Sequence, residues 1–390
     1  PDGGSLAGRR HGRIVCVYMP SANLRGSLAT TAAALLAALA AALAAGRLRK
    51  GLQRATPTHT VNQESLPAAA SASPASATTL RFTTALRGLN VTVLPNHNLL
   101  KHPADASHGY TIMLNSISPE WECLPQHSGI NKAIAKGCIE DGSTTAVNDA
   151  LQQAIAQFAE ANGAGPTYGD VLVTPTYGAL RADGFTAIAH ALGADCSDRG
   201  KRYRVPLFEP TAPPTLAAVF AAYFRVLAHA GALAPPGGDV SEGATLGLVQ
   251  ISAGVFAADQ PKCAEMFALA VRAWSEAVAS ESSALVRGVT MMCSEQESAS
   301  IVAALKAAKA MSRDEAEAAV ARVLFGEGSQ CFLDRVPRAH TIGQKAKEQP
   351  PDDSDAPFAY PSLAPFSFAT LLSREFLHFA PPASMLAKAA

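Results

Sequence analysis

The chain has 390 residues, room for one sizeable domain with tails or for two small ones. Basic and acidic residues balance at 32 each, so no basic face marks a nonspecific nucleic-acid binder, and no nucleic-acid partner is expected. Hydrophobic residues make up 48%, much of it alanine, and the seven cysteines form no C-x-x-C pair, which argues against a disulfide framework or a structural zinc site.

Residues 1–80 form a first zone, with an apolar segment and a linker. Ser27 to Ala45 is uncharged, just long enough to cross a bilayer, and bracketed by Arg25 and by Arg47, Arg49 and Lys50. Three readings stand: a signal or transit segment, a weak membrane anchor through residues 27–45, or an alanine-rich soluble helix. The compartment stays open between organelle, membrane-attached and cytosolic. Residues 55–79 are a Ser/Ala/Pro linker with nothing to bury.

Residues 81–310 carry the globular pattern. Strands are expected at Val91–Leu94, Tyr110–Leu114, Val171–Val173, Leu246–Ile251 and Gly288–Cys293, with a further apolar run at Phe185–Ala191. Helices are expected at Ile130–Lys136, Thr144–Asn162, Thr215–Ala230, Pro261–Ala279 and Glu295–Lys309, and a turn at Pro175–Gly178. Strands alternate with helices and are apolar throughout, which predicts an α/β fold with a mixed, mostly parallel sheet covered on both faces. Residues 311–390 open with a helical stretch, Ser312 to Leu324, where Ser312 and Glu315 make a capping-box pattern. Pro-rich segments and the acidic run Pro350–Asp355 then read as a loosely ordered tail.

The stretch Val249-Gln-Ile-Ser-Ala-Gly-Val-Phe256 runs from an apolar strand through a small-residue turn toward a helix. Such a turn can offer backbone N–H groups to an anion, and Gly254 lets a phosphate approach. A plain strand-to-helix joint would use the same residues. Gln250-Ile-Ser252-Ala-Gly254 lacks the leading glycine of a nucleophile elbow, and neither G-x-G-x-x-G nor a P-loop occurs after a strand. Cys123 and His127 are two ligand types at i, i+4, short of a metal site, and no metal or cofactor is expected. For His190 and His229 the hydrophobic context favours satisfied core histidines.

Four segments together resemble the macrodomain, the three-layer α/β/α module that binds ADP-ribose. Ile112-Met-Leu-Asn115-Ser-Ile-Ser118 is similar to its I-V-N-A-A-N strand end. His127-Ser-Gly129-Ile130-Asn131-Lys-Ala-Ile134 is similar to its G-G-G-V-D-x-A-I loop. Gly169 to Thr174, with Ile188-Ala-His190, resembles its G-x-x-x-x-T and V-I-H pair. Ile251 to Phe256 resembles its I-S-T-G-x-[FY] loop, the most specific piece. The resemblance covers roughly residues 88–308 and is that of a divergent member.

The resemblance implies a diphosphate held by backbone N–H groups around Ser252, Ala253, Gly254 and Val255, with Phe256 near a ribose. It also implies that Asn115 helps hold the distal ribose or its loop, and that Gly129, Ile130 and Asn131 form the facing loop. The departures are specific. Ser118 stands at the family's second asparagine. Asn131 replaces the aspartate that organises the attacking water in the family's hydrolases, and an amide cannot be a general base. Of three loop glycines only Gly129 remains. Pro95-Asn96-His97-Asn98 occupies the region of the adenine-contacting aspartate. Pro119–Gln126, with Trp121, lengthens the first loop. The expectation is a module that binds ADP-ribose or ADP-ribosylated protein without efficient hydrolysis. Two alternatives remain: a hydrolase using His127 or Glu120, and a scaffold whose pocket is blocked.

Overall fold

Seven strands form one sheet in the order β1-β2-β7-β6-β3-β5-β4. They are β1 (Phe82–Leu86), β2 (Leu89–Pro95), β3 (Ile112–Ser116), β4 (Val171–Pro175), β5 (Ala187–Ala191), β6 (Ala244–Val249) and β7 (Val286–Cys293). β2, β7, β6, β3 and β5 run parallel, while β1 on β2 and β4 on β5 are antiparallel and close the two edges. The computed structural model describes residues 82–86, 89–96, 99–101, 111–139, 145–197, 208–233, 244–278, 286–328, 330–335 and 366–379. The apolar segment 27–45, the linker 55–79, His97, Asn98 and the acidic run 350–355 lie outside the described residues.

The central strands are mostly apolar because both faces of the sheet are covered. All five residues of β5 are buried, as are the first four of β3. On one face lie α1 (Gly129–Gly137), packed on β3, and α2 (Thr145–Asn162), packed on β4. The short α3 (Gly178–Ala182) starts where the sequence predicts only a turn. The other face carries α4 (Pro213–Leu233), which packs on β4, β5 and β6 and against α5 (Gln260–Ala277). The result is a three-layer α/β/α body. By length and apolarity α4 would suffice to span a bilayer, but it is mostly buried between the sheet and its neighbouring helices.

Helices α6 (Glu295–Ala310) and α7 (Arg313–Phe325) each begin with a capping box, Ser294 with Glu297 and Ser312 with Glu315. Residues 366–379, within the stretch that reads as a tail, pack into the body and end in α8 (Arg374–Leu377). Phe368, Leu371, Leu372, Phe376 and Leu377 are all buried there. The same segment completes a buried ionic cluster. Arg225 on α4 lies 2.9 Å from Asp170, and His378 Nδ1 lies 2.7 Å from the same carboxylate oxygen. Arg225 Nε donates to the Phe376 carbonyl at 2.8 Å, and its guanidinium lies 5.1 Å from the Phe376 ring centre. Burial alone would raise the Asp170 carboxyl, but His378, Arg225 and hydrogen bonds outweigh it and hold Asp170 below the ordinary carboxylate range.

Candidate functional site

The connections out of the sheet part between β3 and β6. From β3 the chain moves toward β5 and β4; from β6 it moves toward β7. Adjacent strands whose crossovers leave in opposite directions open a crevice at their carboxyl ends, the general place for a ligand in an open α/β sheet. β3 and β6 pair only at Ile112–Met113 and Leu246–Gly247, so their carboxyl ends are not bonded to each other. The loops that leave there are residues 117–128 after β3 and 250–259 after β6.

In the second loop, Ile251 donates its N–H to the buried Tyr223 hydroxyl at 2.7 Å. Ser252 takes a left-handed conformation, φ 66°, which is rare for a residue with a side chain. The turn closes through Ala257 N–H to Gly254 O and Ala258 N–H to Ser252 O, both 3.0 Å. Asp259 then caps α5 by accepting from the Lys262 N–H at 2.9 Å. Between these bonds, the amides of Ser252, Ala253, Gly254, Val255 and Phe256 have no partner among the described residues. Gly254 and Val255 are exposed, and Phe256 is half-buried.

The first loop is arranged differently. Gly129 (φ 61°) opens α1, and Ser128 makes no side-chain cap bond. The amides of Gly129, Ile130 and Asn131 are likewise without a partner among the described residues, leaving the positive end of α1 open. The side chains of Asn115 and Asn131, however, turn inward. Asn115 Nδ2 donates to Asn131 Oδ1 and to His190 Nδ1, both at 3.0 Å. Asn131 Nδ2 donates to the Glu122 carbonyl at 2.8 Å and to His127 Nδ1 at 2.9 Å. His190 Nε2 lies 2.9 Å from Thr174 Oγ1. This chain of bonds assigns the His190 proton to Nε2, and burial pushes its pKa down to about 3.

A consequence for stability follows from that neutral histidine. His190 stays uncharged in the fold down to about pH 3, whereas in the unfolded chain it protonates near its ordinary 6.5. The unfolded state therefore binds the extra proton, and stability falls as pH drops from 6.5 toward 3, by about 1.4 kcal/mol per pH unit for this group. Between pH 6.5 and 4.5, urea unfolding of a His190→Gln variant should lose about 2–3 kcal/mol less than the parent chain. Equal losses in the two proteins would exclude this assignment.

Seven buried side-chain atoms without a partner among the described residues gather at the carboxyl edge of the sheet. They are Asn115 Oδ1, Ser118 Oγ, Trp121 Nε1, Tyr168 OH, Ser252 Oγ and both amide atoms of Gln250. Trp121 is buried, with φ 52°. Tyr168 lies in the turn before β4, at the same edge, because β4 runs antiparallel to β5.

The four segments singled out in the sequence thus meet at one edge of one sheet. Asn115 is the last buried residue of β3, Gly129 opens α1, Thr174 and His190 are bonded across β4 and β5, and Ile251–Phe256 follows β6. The fold is the three-layer α/β/α body with a mixed, mostly parallel sheet that the sequence predicts. Solved macrodomains are similar to this chain in structure. One from Oceanobacillus iheyensis, with ADP, is 13% identical with a TM-score of 0.41, over 59% of this chain and 96% of that one. The macrodomain of ganglioside-induced differentiation-associated protein 2 is 14% identical with a TM-score of 0.37, over 57% and 84%. One from Trypanosoma brucei, in complex with ADP-ribose, is 14% identical with a TM-score of 0.32, over 49% and 62%. No protein-family model and no curated protein matches the sequence.

Within this α/β/α frame, the structure groups the sequence-predicted residues in two sets. Asn115, Gly129, Ile130 and Asn131 belong to β3 and α1, with Ser118 half-buried between them; Ser252, Ala253, Gly254, Val255 and Phe256 form the second loop. Among the described residues no hydrogen bond joins the two sets. Tyr168, Gly193 and Tyr223 were not legible as site residues. Tyr223 reads in sequence as one more apolar position of α4, and only the fold brings its hydroxyl to Ile251.

Proposed function

We propose that the chain binds ADP-ribose, free or attached to protein, through the backbone amides of Ser252–Phe256, and that it does not hydrolyse it efficiently. The observation that carries this reading is the run of five successive amides without an internal partner around a left-handed Ser252. Unpaired N–H groups pointing one way from such a turn form an anion-binding concavity. The left-handed Ser252 costs on the order of 1 kcal/mol, strain that persists only where the surroundings impose it. Gly129, Ile130 and Asn131 would supply the facing wall through the open amino end of α1. Asn115 and Ser118 lie beneath it, and Phe256 offers a ring to a sugar. The unpartnered hydroxyl, indole and amide atoms along this edge are the kind that a polar ligand or ordered water satisfies.

Against hydrolysis stands the bonding of the first loop. The Asn131 amide cannot accept a proton, and it is bonded to Asn115, Glu122 and His127. Both ring nitrogens of His127 are faced, Nδ1 by Asn131 and Nε2 by Glu122 Oε2 at 3.7 Å. The scaffold reading has one observation in its favour: the Asn115 and Asn131 side chains are bonded to each other in the interior.

Calorimetry of the full chain with ADP-ribose separates these readings. A saturable heat is expected, with thermal stabilisation of about 2.7 kcal/mol when the ligand is at 100 times its Kd. Millimolar ADP-ribose giving neither heat nor a shift in Tm would leave the scaffold. An ADP-ribosylated peptide incubated with the protein should keep its modification; steady release of ADP-ribose would make the chain a hydrolase.

A further inference from the structure

We infer that Tyr223 and Gly193 are positioning residues for the 252–256 turn, holding its amides outward from beneath without touching the ligand. The inference rests on the proposed phosphate-binding role of that turn. β6 pairs with β7 as far as Val249 and leaves β3 before that, so Ile251 has no strand to receive its N–H. A buried N–H must find an acceptor. It finds the Tyr223 hydroxyl at 2.7 Å, whose own hydrogen points toward the Val249 carbonyl at 3.5 Å. One hydroxyl thus spans the point where the chain leaves the sheet. Tyr223 is itself fixed, buried on α4 with its ring 5.3 Å from that of Phe267 on α5.

Gly193 supports the next residue. A Cβ at this position would lie 2.2 Å from both Ile251 Cγ2 and Ser252 Oγ, so the turn rests on glycine backbone where no side chain fits. Three residues on, the Cys196 N–H donates to the Phe256 carbonyl at 2.7 Å. The underlayer from the β5–α4 loop and from α4 therefore engages the turn by its leading N–H, its Ser252 side chain and its last carbonyl. It takes none of the five amides from Ser252 to Phe256. Such a turn is ordered before a phosphate arrives, and binding is spared the entropy of ordering it.

Amide hydrogen exchange and calorimetry with ADP-ribose, on full-length Tyr223→Phe and Gly193→Ala, test this. Each variant should exchange the bonded amides of the turn, Ile251, Ala257 and Ala258, ~10-fold faster while α4 and α5 exchange at the parent rate. Each should also bind ADP-ribose ~10-fold more weakly. Faster exchange at the turn with unchanged affinity would overturn the inference, and so would exchange accelerated equally in α4 and α5, which marks a core residue only. Should one variant fail to fold, the other decides. If the parent chain gives no heat with ADP-ribose, the phosphate reading fails, and local exchange at Ile251, Ala257 and Ala258 alone decides whether these residues hold the turn.

Discussion

Gly254→Glu should abolish the proposed ADP-ribose binding and leave the fold in place. A Cβ on Gly254 meets nothing within 4 Å, and the residue is exposed and outside the left-handed region, so a side chain can be added without strain. What changes is charge. The glutamate extends from the centre of the unpaired amides, where the proposed diphosphate lies. Two like charges about 4 Å apart repel by about 4 kcal/mol at the effective dielectric of a protein surface. Even after the carboxylate swings partly away, affinity should drop at least ~100-fold by calorimetry. The Tm should stay within ~2 °C of the parent, as for other exposed substitutions. Gly254→Ala is the control: it fits the same space without charge and should bind nearly as the parent does. An unchanged affinity in the glutamate variant would move the ligand away from this turn.

The second large effect lies away from the site. Arg225→Met should destabilise the chain by about 3 kcal/mol in urea unfolding, the low end for removing one partner of a buried ion pair, because His378 still faces Asp170. Arg225 is the point where α4, the Gly169–Asp170 turn and the 366–379 segment are joined. It donates to the Gly169 carbonyl at 2.8 Å, to Asp170 and to the Phe376 carbonyl. Methionine replaces its volume but none of these bonds. The pH dependence has a definite sign. The folded pKa of Asp170 lies below its unfolded value, so its contribution is present above about pH 4 and is lost as pH falls through the folded value. Asp170→Asn should therefore be less stable than the parent at pH 7, with a shallower loss below pH 4. Parallel acid limbs for the two proteins would show that the charge of Asp170 is not what this cluster stabilises.

Much of the body was legible because burial on both faces leaves a plain mark. Val91–Leu94, Leu246–Ile251 and Gly288–Cys293 are mostly apolar runs, and each marks a parallel strand, β6 ending at Val249. The capping pattern at Ser312 and Glu315 is a local signal, and it opens α7 as a local interaction should. The reading was weaker wherever long-range contacts decided the outcome. Phe82–Leu86, which has no long apolar run, becomes a strand by pairing with β2. Phe366–Phe379 reads as Pro-flanked tail, yet the Arg225 it serves is 151 positions away from Phe376. No window of sequence contains both.

The candidate site divides along the same line. The residue types of the second loop show by themselves that small side chains would leave its backbone accessible. Nothing in them shows which amides stay unpaired, since that depends on Tyr223 meeting Ile251 and on Cys196 meeting Phe256. Asn115 and Asn131 are polar residues at a strand end and a helix start, positions equally suited to face a ligand or the interior. The fold turned their side chains onto each other and onto His190. By itself the sequence determined the alternation of apolar strands and helices and the small-residue turn after β6, because these follow from local periodicity and backbone sterics. Tertiary structure alone decided the strand order, the crevice between β3 and β6 and the partners of each buried polar group, because those depend on hydrogen bonds between residues distant in the chain.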